Sequence, residues 1–342
     1  MSRRAGPPPT ASDPFAAAAA RFRDALTALV RTPSRPDATA PVLLAVSGGA
    51  DSMAMLTLAA AASLPGVIAV ATVDHRLRAS AADEAALVAA HCAAIGVAHT
   101  TLSPPAAITG ASIQAQARTA RYALLADHAR VIGAAAIATA HHVDDQAETF
   151  LMRAARGSGL SGLAGVRART VIDGVAIVRP LLDWRRAELR AIVRWRQVPF
   201  VDDPSNRDPA HDRTRFRQLL DAHEWLGAPH LARSAAALAE ADADARAIVD
   251  WLWTTRATIT ATGVDLDVTG LPREPLRRLA RRGVAAVRAG AAIDTPGFSD
   301  STNVEPLLDA VIAGRRASQS GVSVTPQAHR WRFRLAPPRR GH

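Results

Sequence analysis

The sequence predicts an α/β protein: a doubly wound parallel sheet in the first part of the chain, followed by a smaller, mostly helical domain. Three observations carry this. Short β-rich apolar runs alternate with helical patterns through the first half. The 342 residues, 49% of them hydrophobic, are enough to bury a core in each of two domains. A Ser-Gly-Gly turn also links the first apolar run to a helix, at the kind of strand end where such sheets bind ligands.

The elements follow in order. Residues 1–14 are rich in Arg, Pro and Ala and are expected to be disordered. The Ala run after them is broken by Arg21, Arg23 and Asp24, which makes a poor secretory signal. PVLLAV, residues 41–46, is wholly apolar and reads as a buried strand, and a helix starts near Asp51. VIAVATV, 67–73, is a second strand, 81–95 a helix, 97–102 a third strand and 113–131 a long helix. A strand over 135–140 leads to a helix from about Val143. GSGLSGLAG, 157–165, holds more glycine than a turn needs, which suits a mobile, substrate-covering segment. Two short strands near Val166 and Val175 precede Arg179-Pro180-Leu181-Leu182, and a helix spans 184–197. The polar, Pro-interrupted stretch 201–217 reads as a loop and domain edge. Beyond it come a long helix over 229–256, a hairpin near 258–268, a basic helix over 275–289 and a strand-like tail over 322–335. The chain thus divides into an extension, 1–36, a sheet domain, 37–217, and a mainly helical domain, 218–342.

Composition narrows the chemistry. The formal net charge is +10, which favours a polyanionic partner such as nucleic acid. All 41 Lys and Arg residues are arginine. That excludes a Walker-type phosphate loop and any lysine Schiff base or lysyl-AMP intermediate on the protein. Cys92 is the only cysteine, so the chain cannot build a disulfide framework, a Cys-rich zinc site or a paired-thiol relay. No run approaches the ~20 apolar residues of a membrane span, and the cytoplasm is the expected compartment.

The candidate catalytic motif is Ser47-Gly48-Gly49-Ala50-Asp51-Ser52, between the first strand and its helix. Two glycines let backbone N–H groups approach an anion closely, and the helix N-terminus adds its dipole. Ser47 and Ser52 add hydroxyls. Asp51 would repel a bare phosphate, but it fits if Mg²⁺ bridges it to the phosphates. A simple capped turn is the plainer alternative. SGGADS resembles the SGGxDS loop of N-type ATP pyrophosphatases, which cleave ATP between its α and β phosphates and adenylate an oxygen of their substrate. That likeness implies an adenine nucleotide alpha hydrolase-like sheet.

Five further motifs resemble the tRNA(Ile)-lysidine synthetases in order and spacing, across roughly residues 41–217. Val73-Asp74-His75 is similar to the family's nucleotide-side loop, and Gln116 to Tyr122, QARTARY, to its QARxxRY helix. TAHHVDDQAETFLMR, 139–153, followed by RGSG, is the third. RPLL and then DPSN complete the series. Read physically, Asp144, Asp145 and Glu148 lie at helical spacing just past a strand end, a carboxylate cluster suited to Mg²⁺ or to an ammonium. By resemblance, His141, Asp145 and Glu148 are site residues, with Asp145 and Glu148 recognising lysine. The resemblance also gives Arg118 to the nucleotide and Arg121 to the substrate. Arg213, in the run Arg213-Thr214-Arg215-Phe216-Arg217, is the functional arginine, although Thr214 stands where the family carries Asn. With no lysine in the chain, arginine must supply every cationic contact. Arg277, Arg278, Arg281 and Arg282 form a basic ridge that suits either RNA phosphates or solvent. Trp251 and Trp253 read as core or interface residues.

The resemblance implies one reaction. MgATP binds the Ser47–Ser52 loop, and the wobble cytidine of a CAU-anticodon tRNA(Ile) attacks the α-phosphate through O2, releasing pyrophosphate. The ε-amine of free L-lysine then attacks C2 and expels AMP. His141 or a nearby carboxylate takes the amine's proton. The implied partners are tRNA(Ile), lysine and, as one permitted assembly, a second copy of the chain, with no membrane. The rivals are a tRNA thiolase of the same fold, for which the single Cys92 argues poorly, and a small-molecule amide-forming ligase. A catalytically inert RNA-binding module would not need Asp51, Asp145 and Glu148 together.

Overall fold

The computed structural model describes residues 13–31, 39–64, 66–78, 80–202 and 212–337. The expected disorder before residue 13 and the DPSN motif, 203–206, lie outside them. The chain forms two compact units, Met1–Ala239 and Glu240–His342.

The first unit opens with α1 (Pro14–Val30), capped by the Asp13 side chain on the Phe15 N–H. Then come β1 (Val42–Ala45), α2 (Ala50–Ala61), β2 (Ile68–Val73), α3 (Ser80–Ala94), β3 (Ala98–Leu102), α4 (Ile113–Val131), β4 (Ala136–Ala138) and α5 (Val143–Ala155). The short α6 (Leu160–Leu163), β5 (Arg169–Ile172), β6 (Val175–Val178), α7 (Arg186–Trp195) and α8 (Asp212–Ala222) follow. The sheet order is β3-β2-β1-β4-β6-β5, parallel except for β5, which pairs antiparallel with β6.

Sequence explains this arrangement. β1 is apolar at every position because both its faces are covered: Leu43 packs with Tyr122, Leu125 and Ala126 of α4, whereas Leu44 faces α2 and its neighbours. α2 is apolar nearly all round because the sheet lies under it while α1 and α7 pack against it. The helix that carries Asp51 is therefore held from several sides. Chain order reverses between β1 and β4: β2 and β3 lie to one side, β4 and β6 to the other. That is the topological switch point, where side-by-side strands send their following segments apart and leave a crevice at their C-terminal ends.

Two segments differ from the sequence reading. The glycine stretch is no open cover: it holds α6 and is tied down from α5. Gln146 makes paired hydrogen bonds with Val166, and Arg153 Nη1 donates to the Gly162 and Gly165 carbonyls. Part of the expected 201–217 loop is the start of α8, because Arg213 and Arg217, four apart, both reach a carboxylate of α5.

The second unit is described by itself. α9 (Ala228–Arg256) enters it and is followed by β7 (Ala257–Thr260), β8 (Gly263–Asp267), α10 (Arg273–Gly290), α11 (Glu305–Ile312), β9 (Ala317–Gln319), β10 (Val322–Gln327) and β11 (Arg330–Leu335). The expected hairpin and strand-like tail join in one antiparallel sheet, β7-β8-β11-β10-β9, that packs against α10 and α11. Trp331 and Phe333 alternate inward, and Gly283 of α10 leaves room for the Phe333 ring, since a Cβ there would lie 2.6 Å from it. Trp253 packs on this core, while Trp251 is exposed. No helix of the described residues is long and apolar enough to cross a membrane.

The basic ridge of α10 is neutralised by carboxylates. Arg277 pairs with Glu274 and Glu305, Arg278 with Asp242 and Glu274, and Arg282 with Asp250, while Arg281 donates to the Thr302 carbonyl. Of its two readings, an ion-paired helix face fits better than a free phosphate track.

Candidate active site

The crevice at the β1/β4 switch point gathers most of the chemistry the sequence singled out. From β1 the chain turns through Ser47 and Gly48 into the N-cap Gly49 of α2. Gly48 has φ +86°, a left-handed conformation that a side chain would strain, and its carbonyl accepts from the Val201 N–H at 2.9 Å. Gly49 is different: a Cβ there would meet nothing nearer than Ser47 Oγ at 3.7 Å. The protein's own packing does not require a glycine at 49, whereas close approach of a ligand to the backbone would. Gly49 caps α2 without a side-chain hydrogen bond. Ser52 Oγ donates to the Gly49 carbonyl at 2.9 Å and accepts from the Ser47 N–H at 3.1 Å, which fixes the turn.

Asp51 sits in the first turn of α2. Its Oδ1 is buried without a hydrogen-bond partner, and its Oδ2 lies 3.4 Å from His142 Nε2. A buried carboxylate oxygen with no donor costs stability, so its place is best explained by a cation that arrives with the substrate. Among the described residues no group of three or more His, Cys, Asp or Glu is placed to hold a metal alone.

Across the crevice, His142 is the N-cap of α5 and only 1% exposed. Its N–H donates to Asp145 Oδ2 at 3.0 Å, and its Nδ1 accepts from the Asp145 N–H at 3.4 Å, a reciprocal cap. Burial opposes charge on His142, but the hydrogen bond it donates to Asp51 and the charges of Asp145 and Asp51 outweigh it and raise its pKa. Burial works against ionised Asp145 as well. The charges of His142 and Arg213 prevail and hold that carboxyl below the usual range.

Three carboxylates, Asp144, Asp145 and Glu148, tie α5 to α7 and α8. Asp144 accepts from the Arg185 side chain at 3.1 Å and from the Arg186 N–H at 2.8 Å. Glu148, 1% exposed, accepts from Arg186 Nη2, Arg213 Nε and Arg217 Nε, each at 2.8 Å. Arg213 also reaches Asp145 Oδ1 at 3.2 Å, so one guanidinium spans both carboxylates. The two carboxylates expected to meet an ammonium are thus already occupied by a cation of the chain itself.

A second wall is cationic. Arg118 and Arg121 of α4 each place their guanidinium carbon 5.1 Å from the Tyr122 ring centre, and neither has a carboxylate within 4.0 Å among the described residues. Burial lowers the pKa of Arg121. His75, after β2, is held low by burial and then by the charge of Arg121, which places the Val73-Asp74-His75 loop beside this wall. Asp74 itself turns the loop, accepting from the Arg76 N–H at 2.8 Å. His141 bonds to Thr139 Oγ1 at 2.9 Å through Nδ1, and burial, with Arg179, Arg213 and Arg121 adding to it, pushes its pKa down to about 3.

His141 therefore stays neutral in any neutral buffer. Its ring resonances are expected to show no titration between about pH 8 and pH 5 by NMR, where an ordinary imidazole titrates fully. The unfolded chain binds that proton below about pH 6.5, so this residue withdraws stability as pH falls from there towards 3.

The structure thus brings Asp51, His141, Asp145, Glu148, Arg121 and Arg213 together around the switch point. Sequence reasoning gave no role to His142, Arg186 or Arg217. The adjacent histidines and the i, i+4 spacing of Arg213 and Arg217 were the only signals for them.

Comparison with known proteins gives the family. The family model described as a PP-loop domain matches residues 20–223. A tRNA(Ile)-lysidine synthase from Zymomonas mobilis is 40% identical over 305 residues, covering 87% of this chain and 89% of that protein. One from Novosphingobium aromaticivorans is 42% identical over 326 residues, 94% of this chain and 95% of that protein. Among solved structures, a U34-tRNA thiolase from Methanococcus maripaludis superposes with a TM-score of 0.54 at 16% identity, over 66% of this chain and 79% of its own. At that identity the likeness speaks for the shared fold alone.

Proposed function

This chain belongs to the tRNA(Ile)-lysidine synthase family and carries its PP-loop domain, and from that premise we propose that it ligates free lysine to the wobble cytidine of tRNA(Ile) at the expense of ATP. The observation that carries the reading is the crevice itself: an anion-ready helix N-terminus with an unpartnered Asp51 oxygen faces the carboxylate and arginine cluster of α5 and α8.

In this reading Ser47, Gly48, Gly49, Ala50 and Ser52 cradle the pyrophosphate portion of ATP. Asp51 would hold Mg²⁺, which would supply charge neutralisation to the phosphates. Asp74 and Arg118 line the nucleotide side, and Arg121 faces the RNA. The cytosine O2 attacks the α-phosphorus, the bond to the β-phosphate breaks and pyrophosphate leaves. Arg213 offsets the negative charge that develops on the phosphoryl oxygens. The lysine ε-amine then forms its bond to C2, and the C2–O2 bond breaks to release AMP. Asp145 and Glu148 receive the lysine ammonium, which requires Arg213 to yield its place between them. His141 and Asp145, past the end of β4, are near enough to take its proton; both are weak bases in the unliganded protein, so either must gain basicity from the negative charge of the bound substrate. The target base must leave the anticodon stack to reach the crevice. A cytoplasmic enzyme, alone or as a homodimer, fits the reading.

The test is incubation of the chain with ATP, Mg²⁺, labelled lysine and an unmodified CAU-anticodon transcript, with mass analysis of the wobble nucleoside. Lysidine with equimolar AMP supports the reading. A thiolated base under sulfur supply would move the assignment to the thiolase reaction, and AMP formed on a small-molecule acid would move it to an amide-forming ligase.

A further inference from the structure

Among the described residues, Glu148, Arg179, Asp242 and Arg288 are the buried carboxylates and arginines. Glu148 and Asp242 are ion-paired. Arg288 spends both Nη atoms on the Ser320 and Pro296 carbonyls. Arg179 stands apart. It is 4% exposed, has no carboxylate partner among the described residues, and its Nε is buried without a hydrogen bond. Nη1 bonds to the Arg167 carbonyl at 2.6 Å and Thr170 Oγ1 at 3.2 Å, and the side chain also faces the neutral Tyr122 hydroxyl.

Its position matters as much as its lack of partners. Arg179 directly follows β6, which pairs with β4 in parallel register at Val178 and Ala138. The Thr139 N–H donates to the Val178 carbonyl at 3.0 Å, so Arg179 leaves the sheet beside the strand end that carries His141. The charge of Arg179 is felt by both His141 and Tyr122, and Arg118 in turn acts on Arg179. A guanidinium buried without a counter-charge is unfavourable unless an anion completes the site.

We propose that Arg179 is a phosphate-binding residue of this crevice, a rigid arm that meets a phosphate oxygen delivered by the substrate. The phosphate belongs either to ATP or to the RNA backbone at the target nucleotide. This rests on the ligase reading above, but direct nucleotide and RNA binding can be measured whether or not lysidine forms. The anchoring of Nη1 to the β5 strand makes the arm fixed, so binding needs no side-chain ordering at the moment of contact.

The experiment compares the full chain with Arg179→Gln, Arg179→Lys and Thr170→Val, reading the KM for ATP and for the transcript separately from kcat, with direct binding of a non-hydrolysable ATP analogue and of an anticodon stem-loop. Arg179→Gln is expected to raise one of the two KM values about 10- to 100-fold, with the matching loss of direct binding. ATP as the affected substrate assigns the nucleotide phosphate, and the transcript assigns the RNA backbone. Arg179→Lys should recover part of the loss, because the charge remains while the two-donor fork does not. Thr170→Val, which loosens only the anchor, should stay within about threefold of the parent. Unchanged KM values and binding in folded Arg179→Gln overturn the proposal, as does an equal loss in Thr170→Val, which would mark a hairpin anchor. Should Arg179→Gln fail to fold, the Arg179 Nε–H resonance of the parent decides. A shift with either ligand supports the phosphate contact, and no shift with both contradicts it.

Discussion

Asp51→Asn is expected to lower the rate of AMP formation by about 100- to 1,000-fold while leaving the protein as stable as the parent, or more so. The rate estimate follows from removing one charged group that acts on developing phosphate charge. The stability estimate follows from the geometry: Oδ1 is buried with no donor, so its charge is held at a cost that the amide avoids. In return the His142 contact at 3.4 Å and the attraction to Arg186 are weakened. Steady-state AMP release and a thermal melt, run side by side, check both halves. A variant that loses activity only because it unfolds would contradict the role assigned to Asp51.

Glu148→Gln should be the most destabilising conservative change in the first unit. One carboxylate of 1% exposure balances three guanidiniums, of Arg186, Arg213 and Arg217, each at 2.8 Å. Removing its charge leaves cations without their counter-charge at the junction of α5, α7 and α8. Breaking such a buried pair costs about 3–5 kcal/mol. For a unit of this size that lowers the melting temperature by on the order of 10 °C. Arg217→Met added to Glu148→Gln should restore part of the loss, because one unpaired cation goes with it. Denaturant titration of the single and double variants measures this. If Glu148→Gln were neutral, the cluster would be solvated charge and not the clasp the structure depicts.

Much of the first unit could be read from the chain because its signals are local. The strand run 41–46 is apolar throughout, and 67–73 apolar but for Thr72, because β1 and β2 lie inside a covered parallel sheet, and the glycine turn between strand and helix marks the ligand-binding end. The long-range pairings gave no such signal. Glu148 lies 65 residues before Arg213 and 38 before Arg186, so nothing in the sequence shows that it is spent on arginines. The same blindness applies to α10. Arg277, Arg278 and Arg282 look like a phosphate track until Asp242, Asp250 and Glu305 are folded against them. The second sheet was half visible: β10 and β11 alternate clearly, with Val322, Val324, Trp331 and Phe333 inward, whereas the three-residue β9 is too short to register.

The most direct test of the central claim is a single-turnover reaction of enzyme, CAU-anticodon transcript and ATP labelled at the α-phosphate, first without and then with lysine. Label should accumulate on the tRNA without lysine and leave as AMP when lysine is added, and neither step should occur in Asp51→Asn. Release of AMP without tRNA, or label that lysine cannot discharge, would contradict activation of the cytidine in this crevice.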